Sequence, residues 1–313
     1  MNTEEALQHF IDVAEPSNKR TPYAVLTDPS DASGAVVRFE IGDDDATSSM
    51  SLTTNDSLQR IWASPAGNLW LGSARGRVWT TAALDWDPKK VRGLSWEASD
   101  PEYQWKAMEL PGTNQITALY GSSDQDVHVG TAAGSVLHWN GAEWRQTLSD
   151  NKQAIARLHG TAAGDVWAVG DGGLVLHFDG RSWQRQTLPG KAAQENLTGI
   201  WATPKQVHIC SSGGAIWTGD ATCLTHLGSF PYTLHGVVEF AGKVFLAGGD
   251  DGVCVLQGKK VEVERDTFFA VGVYALNGRL AFLQALQDPP AVVIHDPKLE
   301  EDSAWLGCFW DGN

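Results

Sequence analysis

Apolar residues in this chain fall into short runs separated by turns rich in Gly, Asn and Asp, and the runs recur in a fixed order. Leu58-Gln59-Arg60-Ile61-Trp62-Ala63 is followed by Leu69-Trp70-Leu71-Gly72 and then by Gly76-Arg77-Val78-Trp79. The same three-part phrase begins again at Ile116, Ile155, Leu197 and Leu234. The second run starts at Leu69, Val127, Val166, Val207 and Val244, and the third-run anchors Val78, Val136, Val175, Ile216 and Val253 stand nine residues later in all five copies. First-run anchors precede second-run anchors by 11, 11, 11, 10 and 10 residues. Runs this short, bounded by Gly-containing turns, predict three β-strands per copy.

A fourth strand is predicted at Trp105-Lys106-Ala107-Met108-Glu109-Leu110, at Trp144-Arg145-Gln146-Thr147-Leu148 and at Trp183-Gln184-Arg185-Gln186-Thr187-Leu188, two of them after the turn pairs Asn140-Gly141 and Asp179-Gly180. Four antiparallel strands in roughly 40 residues make one propeller blade. Two weaker copies flank the five, one with Tyr23-Ala24-Val25-Leu26 and Ala35-Val36-Val37-Arg38-Phe39, the other with Arg279-Leu280-Ala281-Phe282 and Ala291-Val292-Val293-Ile294. The expected fold is all-β: a single β-propeller of about seven four-stranded blades over residues 21–312. Ala6, Leu7, Phe10, Ile11 and Ala14 are spaced as on an amphipathic helix, with Thr3 as cap and Pro16 beyond, so a short helix is expected within residues 1–18. Residues 303–310 are expected to supply the strand that the first copy lacks, closing the ring.

Composition agrees with this pattern. The 313 residues include 33 Gly and 14 Trp but only 3 Met, and charged residues make up 19%. The four cysteines, Cys210, Cys223, Cys254 and Cys308, match neither a zinc spacing nor a disulfide scaffold and read as reduced packing residues. The N-terminus has no basic segment and the chain has no long apolar stretch, so a cytoplasmic protein without membrane contact is expected. The net charge of −15 opposes binding to nucleic acid and attracts basic partners.

Leu197-Thr198-Gly199-Ile200-Trp201-Ala202 and Asp165-Val166-Trp167-Ala168-Val169-Gly170-Asp171-Gly172-Gly173 resemble the bacterial WD-repeat/YVTN/BNR-like propeller superfamily, and the resemblance covers residues 23–310. It implies the propeller fold. It carries no activity, because propellers host hydrolases, lyases, redox enzymes and docking platforms alike. The sialidase Asp-box is absent: the relevant turns read Asn140-Gly141-Ala142-Glu143-Trp144 and Asp179-Gly180-Arg181-Ser182-Trp183. Trp86-Asp87 lies in an insertion rather than at the end of a third strand.

The nine histidines raise the question of a metal. His128 and His208, however, occupy the slot that Trp70 and Trp167 fill in other copies, and His138 and His177 are expected to share a slot with Trp79 and Trp217. Positions shared with tryptophan are packing positions with a polar tip, so no metal and no cofactor are expected. Asp171, Asp250 and Asp251 lie on turns facing the expected funnel, where a glycosidase would need paired acids. Asp beside Gly is also what tight turns require. No phosphate loop, catalytic triad or HExxH pattern occurs.

The largest irregularity is an insertion at residues 81–103, which lengthens the second copy to 58 residues and places Trp86, Trp96 and Tyr103 among Asp85, Asp87, Glu97 and Asp100. Aromatics ringed by acids suit an anchor for a basic protein surface or, equally, packing against the blade's flank. The expected function is therefore a non-catalytic protein-interaction module for a basic partner, in its narrowest form an immunity-type inhibitor of a toxin such as a nuclease. A propeller carbohydrate enzyme or lectin and a complex-assembly factor are the alternatives.

Overall fold

The computed structural model describes residues 8–27, 33–42, 45–83, 92–97, 103–112, 115–149, 151–285, 289–300 and 303–310. Their strands form seven antiparallel sheets, six of four strands and one of five, each built from one contiguous stretch of chain. Blade 1 consists of His9–Ala14, Tyr23–Thr27, Gly34–Ile41 and Ala46–Thr54. The first strands of blades 2 to 7 are Leu58–Ala63, Ile116–Ser123, Ile155–Ala162, Leu197–Ala202, Gly236–Phe240 and Ala270–Ala275. These seven first strands surround the axis, and the outermost strand of each blade, the fourth in six of them, forms the rim.

Burial follows from that arrangement. A second strand such as Leu69–Ser73 or Val207–Ser211 is covered on both faces by the neighbouring blades, so it is mostly apolar, shows no in–out alternation and is buried at every residue. A rim strand such as Trp144–Leu148 or Lys260–Arg265 is mostly exposed. Asn140 Oδ1 accepts the N–H groups of Ala142 and Glu143 in the hairpin before the rim strand, and Asp179 does the same for Arg181 and Ser182. Asp220 repeats the device in blade 5 with Thr222 and Cys223.

The apolar core is divided into wedges, one between each pair of adjacent blades. Tyr23, Val25 and Leu52 meet Ile61, Leu71 and Trp79 between blades 1 and 2, and equivalent clusters follow around the ring. At two of these joints, a Cβ on Gly72 or Gly130 would lie 2.5 Å from Ile116 or Ile155 of the next blade, so the isoleucine occupies the space the glycine leaves. The seventh wedge joins the two ends of the chain: Phe10, Val13, Val37 and Phe39 of blade 1 pack with Leu283, Ile294, Cys308 and Trp310 from the blade 7 end.

Two expectations are corrected here. Residues 9–14 form a β-strand, the innermost of blade 1, and not part of a helix; residues 1–7 lie outside the described residues. A bulge between Phe10 and Asp12 breaks the two-residue alternation of this strand, and that break imitates helical spacing in the sequence. Blade 1 is thus complete without the C-terminus. Trp305–Phe309 is instead the fourth strand of blade 7, paired with Ala291–His295. The insertion adds a fifth strand to blade 2, Arg92–Glu97, antiparallel to Trp105–Glu109.

Among the described residues no strand is shared across the ends, and closure rests on side chains. Arg279 of the blade 7 hairpin pairs with Glu15 of blade 1, both side chains almost wholly buried. The Asn277 N–H donates to Glu15 Oε2 at 2.8 Å, and Asn277 Nδ2 donates to the Pro16 and Lys19 carbonyls at 2.7 and 2.9 Å. Removing one partner of such a pair leaves a buried, uncompensated charge. Arg279→Met is expected to cost about 3–5 kcal/mol, with much of the loss recovered in Glu15→Met/Arg279→Met. Chemical denaturation checks this, and an Arg279→Met midpoint equal to that of the parent would contradict it.

Candidate functional site

The first strands share a local grammar. In six of the seven a bulge sits near the strand start, at Phe10/Asp12, Leu58/Arg60, Ile116/Ala118, Ile155/Arg157, Leu197/Gly199 and Ala270/Gly272. One position beyond, and at the matching position of blade 6, the side chains are Val13, Ile61, Leu119, Leu158, Ile200, Val237 and Val273, each buried in the wedge with the preceding blade. The residues on either side of this aliphatic ring turn the other way. They line an axial cavity of about 300 Å³ to which all seven blades contribute.

The layer just after the bulge reads Asp12, Arg60, Ala118, Arg157, Gly199, Gly236 and Gly272. Four of the seven are Ala or Gly, so the longer side chains of Arg60 and Arg157 find room at the axis. Asp12 is buried. Its Oδ2 accepts the Ile61 N–H at 2.9 Å and its Oδ1 the Val13 N–H at 3.2 Å. Burial pushes its carboxyl above the ordinary range, against the opposing pull of Arg60 and Arg157. Burial and the like charge of Arg157 push Arg60 down to about 10, which still leaves it charged at pH 7. Arg60 Nη1 donates to the Gln59 carbonyl at 2.6 Å and Arg157 Nη1 to that of Ala156 at 3.0 Å, while Arg60 Nε is buried with no hydrogen-bond partner. The layer therefore holds two guanidinium groups against a single carboxylate, which is itself engaged by backbone N–H groups.

The next layer is aromatic. Trp62, Tyr120, His159 and Trp201 form an arc across blades 2 to 5, with ring centroids 6.3, 5.4 and 4.1 Å apart in turn. His159 Nδ1 accepts the Ala202 N–H at 3.0 Å, which requires a free lone pair on that nitrogen and fixes the tautomer. Burial pushes its pKa down to about 4.

Asp171 is in a short 3-10 turn, Asp171–Gly173, and is exposed, as is Asp250, with Asp251 half-buried beside it. All three occupy turns between second and third strands and stand outside the lining of the cavity. Trp96 and Glu97 lie on the added strand Arg92–Glu97. Trp86, Asp85, Asp87 and Asp100 lie outside the described residues. Tyr103 is half-buried in the wedge of blades 1 and 2, its ring 5.7 Å from that of Tyr23, with Lys19 Nζ 4.6 Å above it. Sequence reasoning missed Asp12, Arg60 and Arg157. Superposing the copies at the residue after the bulge carries the signal, because two arginines stand there where other copies have Ala or Gly.

His159 ties stability to pH. The folded protein keeps the ring neutral down to about pH 4, whereas the unfolded chain takes up a proton near 6.5. Stability is therefore present above pH 6.5 and falls as the pH drops toward 4, by up to about 3 kcal/mol for this one residue. His159→Gln is expected to flatten the pH dependence of the unfolding free energy across that window, and parallel curves for variant and parent would contradict the assignment.

No family model matches the chain, and no curated protein matches it. Among solved structures it is similar to the WD40 β-propeller domain of Doa1, at a TM-score of 0.70 and 12% identity over 95% of this chain and 94% of that one. It is also similar to the computationally designed Ika8 protein, at 0.61 and 14% over 94% and 85%. YCF48 bound to D1 peptide matches at 0.52 and 12% over 74% and 77%. At these identities the likeness is one of fold, and the chain is a seven-bladed β-propeller.

Proposed function

We propose that the protein is a non-catalytic interaction module, a closed ring that docks a protein partner carrying a basic surface. The observation that carries this reading is the state of the acids at the axis. Among the described residues, the carboxylates lining the cavity are Asp12 and Glu15. The first is held by backbone N–H groups, the second by Arg279 and Asn277. Neither is placed as the free acid–base pair that glycoside hydrolysis needs. What the ring offers is a rigid platform with a net charge of −15, which draws a cationic surface from a distance. The peptide bound to YCF48 supports the use of such a platform for polypeptide. An inhibitor that covers the basic face of a nuclease-like toxin is the narrower form of the reading, supported by charge.

Capture of the tagged protein's partners from its native lysate tests it. A basic protein is expected to be retained at about 50 mM salt and released at about 500 mM, where the screening length falls to a few ångströms. Retention of an acidic partner, or binding indifferent to salt, would overturn the basic-surface reading.

A second reading has its own observation, the pair of axial guanidinium groups with Arg60 Nε unpartnered. It assigns the channel to a small anion bearing carboxylate or phosphate groups. Citrate or phosphate is expected to raise the melting temperature of the parent protein above that in chloride at equal ionic strength, and not that of Arg60→Gln/Arg157→Gln. An equal shift in both would set this reading aside.

A further inference from the structure

A second polar cluster lies away from the axis, between blades 3 and 4. Asp126 opens the second strand of blade 3, Asp126–Thr131, and His128 follows two residues later on the same face. His138 lies on the third strand, Val136–Trp139, directly opposite His128 in register, the position that Thr80 and Thr218 hold in blades 2 and 5, so the expected match with Trp79 and Trp217 is off by one residue. One carboxylate and two imidazoles therefore share one face. His138 Nε2 is 2.7 Å from Asp126 Oδ1, His128 Nε2 is 3.6 Å from the same oxygen, and a ligating atom from each of the three lies within 4.8 Å of the others.

His128 is the anomaly. It is completely buried, yet neither ring nitrogen has a hydrogen-bond partner. Phe178 and Trp183 of blade 4 wall it in, with centroids 5.5 and 6.0 Å away, and His138 stacks on it at 4.3 Å. Blade 4 provides the internal comparison, with Asp165, Trp167 and His177 at the corresponding positions. There Trp167 Nε1 donates to Asp165 Oδ1 at 3.1 Å and His177 Nε2 pairs with the same oxygen at 2.8 Å. In blade 2 the slot holds Trp70, whose Nε1 donates to Asp124 at 2.7 Å. Blade 3 replaces the indole with an imidazole whose facing polar group, Asp126 Oδ1, stands 3.6 Å away, too far for a hydrogen bond. Leaving a buried polar group unmet costs about 1–3 kcal/mol, a cost that packing alone does not explain where tryptophan fits.

We propose that Asp126, His128 and His138 form a Zn²⁺ site. Two imidazoles and one carboxylate are a zinc donor set, with the fourth position left to water. At Zn–N and Zn–O distances of about 2.0–2.2 Å, tetrahedral ligand atoms stand roughly 3.4 Å apart. The His128–Asp126 pair is already near that spacing. His138, 23% exposed, lies at the solvent edge, where its ring turns to open the shorter contact and admit the ion. Ser122 Oγ donates to Asp126 Oδ2 at 2.6 Å, which leaves Oδ1 directed at the histidines, the role an outer hydrogen bond plays for a metal-binding carboxylate. His128 Nε2, the nitrogen that faces Asp126, then has a partner in the ion.

The test is titration of the chelator-treated, full-length protein with Zn²⁺ by calorimetry and with Co²⁺ by visible absorption. Binding of one ion per chain is expected, with a Co²⁺ spectrum of tetrahedral intensity. His128→Trp installs the residue used by blades 2 and 4. It is expected to keep the parent circular dichroism while weakening Zn²⁺ binding by roughly 100-fold or more, and Asp126→Asn and His138→Gln are expected to weaken it as well. Absence of stoichiometric binding by the parent, or undiminished affinity in folded His128→Trp, would overturn the proposal.

Discussion

The two ends of the chain must meet, and everything else in this ring depends on that contact. Each blade buries its faces only against its neighbours, so a ring with one open joint would leave two inner sheets facing water. Blade 1 here is built wholly from the N-terminal side and blade 7 wholly from the C-terminal side. Among the described residues, no backbone hydrogen-bond ladder crosses the joint. The closing wedge of Phe10, Phe39, Ile294 and Trp310, with Glu15 and Arg279 buried at its edge, takes that place. A charge pair there imposes a register that aliphatic packing alone would leave free to slip.

Closure also creates the axial chamber. The seven aliphatic residues one layer into the first strands fix each strand against the preceding blade, and the layers on either side are left to face the axis. Where those layers carry Gly and Ala the channel stays open; where they carry Arg60 and Arg157 it becomes cationic within an otherwise acidic molecule. Long-range and local electrostatics thus differ in sign, which separates the proposed attraction of a basic partner from any anion held at the axis. Three of the four cysteines belong to the same packing logic. Cys210, Cys254 and Cys308 are buried in wedges, with their thiols pushed up to about 12, 11 and 12 by burial, so they pack as small apolar groups.

The repeat was legible in the sequence because strand spacing in a blade is set by local turns: nine residues from Leu69 to Val78 recur unchanged at Val244 and Val253. The innermost strand of blade 1 was not. The bulge at Phe10/Asp12 disguises its alternation, and Glu15 just beyond it pairs across the closing joint with Arg279, 264 residues away. The axial layer was hidden for a related reason, since Asp12, Arg60 and Arg157 become neighbours only when seven separate repeats close around one axis. His128 shows the opposite case. Its place in a tryptophan slot was legible, but that its nitrogens have no partner appears only when the neighbouring blade is in position.

Hydrogen exchange followed by mass spectrometry on the intact protein tests closure most directly. If the ring is closed as described, the amides of His9–Ala14 should exchange as slowly as those of Ile155–Ala162 in the middle of the chain, both opening only with global unfolding. Early exchange of His9–Ala14 while Ile155–Ala162 stays protected would mean that the joint between blades 7 and 1 opens on its own, and would contradict the account.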